Sequence, residues 1–80
     1  MLTELASREK VVGVKQSRKA IREGRAVQVF LACDADPAVV DPIRADCEEQ
    51  NVPLQDDCSM AELGEACGIA VGAAVAVLLK

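Results

Sequence analysis

Val27 to Ala32, VQVFLA, leaves little choice of architecture. The stretch is rich in β-branched and aromatic residues, too short for a helix, and apolar without the alternation of a half-exposed strand. Such a run reads as a central strand buried on both faces. The helical segments that alternate with the strands argue for helices on both faces of the sheet. A second apolar run, Val71 to Leu79, holds a final buried strand on the same grounds.

The segments between supply the covering layers. Leu2, Leu5 and Ala6 mark a short N-terminal helix with Thr3 as its cap, and Val11-Val12 a very short strand ending at Gly13. Val14, Ser17, Ile21 and Gly24 then recur near helical spacing, with Gly24 as a left-handed stop. Asp36 caps a helix whose first residue is Pro37, with Val40, Ile43 and Cys47 as its inward stripe and Asn51 at its close. Pro42 makes that helix either restart or bend. Val52 to Gln55 reads as a strand, with Pro53 suited to an edge or a strand start. Ser59-Met60-Ala61-Glu62 is a capping box for a helix running to Cys67, with Leu63, Ala66 and Cys67 facing inward and Gly68 as the stop. Four strands alternating with helices predict a single domain over residues 1–80. Its fold is an α/β, three-layer α/β/α sandwich with a four-stranded mixed sheet.

Composition narrows the chemistry. There is no His, Trp or Tyr and a single Phe, so the core is aliphatic and no Ser-His-Asp or Cys-His site can be assembled. Cys33, Cys47, Cys58 and Cys67 form no C-x-x-C pair and stand where apolar residues would serve, which favours reduced, mostly buried thiols over a disulfide framework or a zinc site. No apolar run approaches the ~20 residues of a membrane span. Nucleotide-binding glycine signatures are missing, because Gly13-Val14-Lys15-Gln16-Ser17 lacks both the second glycine and the Lys-Ser ending of a phosphate loop. The expectation is a cytoplasmic protein without metal or cofactor.

Charge supplies the strongest functional signal. The net −4 divides into +5 over residues 8–25 and −8 over residues 26–80, with Glu4 giving the rest. Segregation of this kind steers a polyanion to one face. Lys15, Lys19 and Arg22 lie at i, i+4 and i+7 of the first basic helix, and Arg18 adds to that surface. The amides after Gly13 are placed to meet phosphate, and Gln16 can offer a base edge both donor and acceptor. A solvated surface helix is the bland alternative. Asp34 and Asp36, directly after a central strand, are compatible with Mg²⁺ or phosphoryl chemistry, or with a turn followed by a helix cap, which is the preferred reading.

Taken together, these motifs resemble the kink-turn-binding ribosomal proteins of the L-seven-Ae and thirty-e group, and especially their short bacterial YbxF-like members. The resemblance runs from about Val11 onward. It rests on Gly13-Val14-Lys15-Gln16 with Lys19, on Asp34-Ala35-Asp36-Pro37, on Val52-Pro53, and on Leu63-Gly64-Glu65-Ala66-Cys67-Gly68. It implies the α/β/α sandwich and a non-enzymatic protein recognising a sharply bent RNA with tandem sheared G·A pairs and a bulged nucleotide. Lys15 and Gln16 would stand where the family reads guanines with Asn and Glu. Val14 and Lys19 belong to the same helix start, Asp36 and Val40 would lie near the bulged base, and Cys58, Ser59 and Met60 would line the RNA's other side. The chain departs from eukaryotic relatives in having Met60 where many carry lysine and Val71 where some carry arginine, and Asp56 and Asp57 add negative charge. The resemblance therefore implies weaker binding to the same targets.

The implied partners are structured RNAs, ribosomal RNA or a riboswitch among them, with ribosomal proteins as possible neighbours, no membrane, and a monomeric state. A protein-interaction domain of the same fold that does not bind RNA is the alternative. An enzyme using Asp34 and Asp36 with Mg²⁺ ranks last.

Overall fold

A computed structural model describes residues 9–80; the helix expected around Leu2, Leu5 and Ala6 lies outside them. The described elements are β1 (Lys10–Val12), α1 (Val14–Arg22), β2 (Ala26–Ala32), α2 (Pro37–Gln50), β3 (Leu54–Cys58), α3 (Met60–Ala66) and β4 (Val75–Leu79). The four strands form one mixed sheet in the order β1-β4-β2-β3. β4 is antiparallel to both β1 and β2, while β2 and β3 are parallel.

The two apolar runs of the sequence become the two inner strands, and alternate residues serve opposite faces. Val29 and Leu31 of β2 with Val75, Val77 and Leu79 of β4 pack against Ala20 and Ile21 of α1 and Val40, Ile43 and Cys47 of α2. Phe30, Ala32, Ala76 and Leu78 pack on the other face with Cys58, and with Leu63 and Cys67 at α3. Two helices on one side and α3 on the other give the expected three layers.

The helix ends follow the sequence closely. α1 closes in a Schellman motif: the amides of Gly24 and Arg25 donate to the carbonyls of Ile21 and Ala20 at 3.1 and 3.0 Å, and Gly24 has φ 72°. Asp36 accepts from the Ala38 amide at 2.9 Å with Pro37 in the first helical position, and Asn51 closes α2 in the left-handed conformation. Both hydrogen bonds of the Ser59–Glu62 capping box are present. Ser17 faces the core of α1, where its buried hydroxyl has no hydrogen-bond partner among the described residues.

The structure corrects one expectation, the extent of the third strand, and decides two others. α2 runs through Pro42 as one helix and does not restart. An internal proline costs ~3 kcal/mol, but burial of Val40, Ile43 and Cys47 on both sides of it, at ~1.5–3 kcal/mol per large apolar side chain, outweighs that. The third strand begins at Leu54, two residues later than the apolar Val52 suggests, and extends through the acidic Asp56-Asp57. It lies at the sheet edge, where one face of a strand can stay polar, and the Pro53 carbonyl accepts from the Val29 amide at 2.9 Å. Cys33 is exposed, whereas Cys47, Cys58 and Cys67 are buried, and all four are free thiols.

Candidate nucleic-acid interface

β1, β2 and β3 all point the same way, since each of the first two is antiparallel to β4 and β3 is parallel to β2. Their C-terminal ends, and the segment leading into β4, therefore meet at one end of the sheet. This brings Gly13–Gln16, Cys33–Pro37, Cys58–Met60 and Ile69–Ala73 together. Backbone hydrogen bonds stitch them: Gly13 donates to Val75 at 3.2 Å, Ala32 to Ala74 at 2.9 Å, Cys33 to Cys58 at 2.7 Å, and Ala73 to Met60 at 3.0 Å.

The two helix starts at this end differ in kind. Gly13 is the N-cap of α1 with φ 103° and ψ 154°, a region essentially reserved for glycine, and it supplies no side-chain cap. No acidic residue lies in the first turn. Lys15 and Gln16 stand there instead, both exposed, so a cation sits at the positive end of the helix dipole, against the local preference. A local choice that opposes helix stability is of the kind expected at functional or strained sites. At α3 the capping box and the Asp34 carboxylate occupy the amides of Ser59, Met60 and Glu62. The amides at the start of α3 are thus taken, whereas Gly13 offers no side chain to those at the start of α1.

Along α1 the basic residues divide. Lys15 and Lys19 are exposed and form no ion pair with another described residue. Arg18 donates from Nε to Asp46 Oδ2 at 2.8 Å, and Arg22 Nε lies 3.8 Å from the same oxygen. Asp46 is only 8% exposed. Its hydrogen bond with Arg18 raises the guanidinium's pKa above the ordinary value. Lys19 and Arg22 lie in the last turn, where cations complement the dipole. A surface groove of about 620 Å³ runs along α1, bordered among the described residues by Val14, Lys15, Gln16, Arg18, Lys19, Arg22 and Glu23.

The remaining candidates fall into two sets. Asp36 is exposed, with one carboxylate oxygen committed to its cap, and Ser59 and Met60 are half-buried at the same end of the sheet. Val14 is half-buried against the core, and Val40 and Cys58 are enclosed within it. The negative charge near β3 is partly neutralised, because Arg44 pairs with Asp56 at 2.8 Å. Gln55 donates to Asp57 at 3.1 Å.

Sequence reasoning did not foresee two features. Asp34 accepts from the Met60 amide at 2.8 Å, across 26 residues, and no local signal foretells it. The loop after α3 exposes Ile69 and Val71, the latter at 71%, next to Met60. Its close approach is permitted by Gly64, where a Cβ would strike the Val71 carbonyl; a Cβ at Gly72 would meet Met60 in a tighter than usual contact of 3.2 Å.

Burial raises the thiols of Cys58 and Cys67, and the neighbouring Asp57 and Glu62 raise Cys58 further, so both remain protonated near neutral pH, unlike activated nucleophiles. No group of three or more potential metal ligands occurs among the described residues. None of the described helices is long and apolar enough to cross a membrane.

A small α/β/α sandwich thus presents, beside two loops at one end of its sheet, a cation-bearing helix start without a side-chain cap, a surface suited to a polyanion. The chain belongs to the ribosomal protein L7Ae/L30e/S12e/Gadd45 family, whose pattern it matches over residues 2–80. It is 44% identical over 70 residues to an RNA-binding protein of Geobacillus sp. strain WCH70, covering 88% of this chain and 85% of that one. It is 43% identical, with the same coverage, to the RNA-binding protein YbxF of Geobacillus stearothermophilus. Among solved structures, the Giardia lamblia 15.5kD RNA binding protein superposes with a TM-score of 0.89 at 32% identity, covering 99% of this chain and 68% of that one. A Bacillus halodurans protein of unknown function, at 23% identity and the same TM-score, shares the fold.

Proposed function

We propose that this protein binds RNA, and that its target is a kink-turn: a bent helix whose sheared G·A pairs expose guanine edges beside a splayed nucleotide. The observation that carries this reading is the start of α1, where Lys15 and Gln16 stand exposed beside amides that receive no side-chain cap from Gly13, with no acid in the first turn. Lys15 donates to guanine O6 and N7, Gln16 pairs with a base edge, and Lys19 grips phosphate. Asp36, Ser59 and Met60 flank the RNA, while Val14, Val40 and Cys58 shape the surface from beneath. Arg22 contributes charge from the far end of α1, and Arg18 is committed to Asp46. The protein acts without chemistry, in the cytoplasm, by favouring a bent state that free RNA populates only in part. Ribosomal RNA and riboswitch leaders both belong to this target class.

The test is titration of a short kink-turn RNA by gel shift and calorimetry, beside the same RNA with its G·A pairs replaced by Watson–Crick pairs. Wild-type protein should prefer the first. Lys19→Ala and Gln16→Ala should each weaken binding by about 1–3 kcal/mol, roughly 5- to 150-fold, while thermal stability stays near wild type. Unchanged affinity in both variants would remove the site assignment. The exposed Ile69 and Val71 favour a second reading, a protein-docking loop, if neither RNA binds.

A further inference from the structure

We infer that Asp34 is a positioning residue for RNA recognition: it holds the two RNA-flanking loops in register through the backbone of Met60 and makes no contact of its own with the ligand. The inference rests on the proposed RNA-binding reading and extends it to a residue outside that site. Asp34 lies two residues past the end of β2. The ladder between β2 and β3 continues one step beyond that end, since the Cys33 amide donates to the Cys58 carbonyl at 2.7 Å. That step sets Asp34 opposite the turn into α3, where its Oδ1 accepts from the Met60 amide at 2.8 Å. The Met60 carbonyl in turn accepts from Ala73 at 3.0 Å. Met60 is therefore held at both its backbone polar groups, its amide by the loop that carries Asp36 and its carbonyl by the segment that leads into β4.

The register of β2 against β3 shifts between Phe30 and Ala32, where Gln55 to Cys58 spans one residue more on the partner strand. An irregularity of this kind re-aims the chain that follows it. The Asp34–Met60 bond fixes where the re-aimed turn comes to rest. Asp36, two residues on, turns back to cap its own helix. The paired acids thus have separate tasks, one across the sheet and one along the chain.

Charge and geometry make opposite predictions here, which makes the inference testable. Asp34 is an exposed carboxylate at the end of the molecule that meets a polyanion. By charge alone, removing it should tighten RNA binding. As a positioning residue, its removal should weaken binding to the kink-turn in spite of the charge gained. Asp34→Ala and Asp34→Asn would be compared with wild type for affinity to the kink-turn RNA and to the Watson–Crick control, with exchange of the Met60 amide followed by NMR.

Asp34→Ala should lose at least about tenfold for the kink-turn but not for the control, and its Met60 amide should exchange faster. Asp34→Asn retains an acceptor oxygen and should recover most of the affinity. Equal or tighter kink-turn binding by Asp34→Ala, or an Asp34→Asn loss as large as that of Asp34→Ala, overturns the inference. If Asp34→Ala does not fold, Asp34→Asn decides: protected Met60 exchange with near-wild-type selectivity upholds it, and lost selectivity overturns it. A wild-type protein that does not distinguish the two RNAs overturns the kink-turn reading itself and this inference with it.

Discussion

Cys47 sits on the inner side of α2, enclosed by the core, and burial, reinforced by the neighbouring Asp46 carboxylate and opposed by Arg44, pushes its thiol from an ordinary 9.0 up to about 11. In the unfolded chain the thiol returns to its ordinary value. A group whose pKa is higher in the folded state contributes stability that is complete below the unfolded pKa and disappears as pH rises through the folded one. Stability should therefore hold to about pH 9 and decline toward pH 11, with Cys58 and Cys67 adding to the fall because their pKa values are raised as well. Urea unfolding between pH 7.5 and 10.5 would show it as a falling midpoint. Cys47→Ala, although less stable at neutral pH for its cavity, should show a shallower decline; an equal decline would mean that the remaining thiols account for all of it. Asp34 and Asp36 teach a related lesson at this scale. Two identical side chains two positions apart do unlike jobs, because one is placed by the pairing of strands and the other by the helix it begins.

α1 and α2 are joined by a carboxylate that is nearly out of water. Asp46 binds Arg18 directly and draws Arg22, so it orders the back of α1 while withholding positive charge from its front. Asp46→Asn keeps an acceptor for Arg18 but removes the charge. It should cost about 0.5–2 kcal/mol of stability in thermal or urea unfolding. It should also tighten RNA binding a few-fold at low salt, as Arg18 and Arg22 regain free charge. Unaltered affinity would mean that neither arginine faces the RNA. The elements themselves were largely legible in the sequence, because their signals are local. Apolar runs marked β2 and β4, Asp36-Pro37 and Ser59–Glu62 marked two helix starts, and Gly24 marked a stop. The ties between elements were not legible. Arg18–Asp46 spans 28 residues and Asp34–Met60 spans 26, and both depend on strand register and helix packing that no window of sequence contains. The start of β3 was misread for a similar reason, since its polar Asp56 and Asp57 are tolerated only because the strand is an edge.

The molecule as a whole is acidic yet presents a basic helix, so its field orients a polyanion before contact. Because Arg18 is committed to Asp46, the effective cations among the described site residues are Lys15, Lys19 and the partly engaged Arg22. Each phosphate neutralised contributes about 0.7–0.9 to the slope of log affinity against log salt, so the slope for kink-turn RNA should be about 2–3. Titrations across a KCl series would measure it. A slope beyond about 5 would show that the grip extends well past α1. The sheet order carries a separate consequence. β4 is the last strand in sequence but lies between β1 and β2, with its side chains completing both halves of the core. While the polypeptide is being made, β1 has no neighbour to join and Gly13 cannot donate to Val75. The proposed RNA-binding surface is thus completed only once β4 has been made, and a nascent chain still short of β4 has no finished platform with which to hold a transcript.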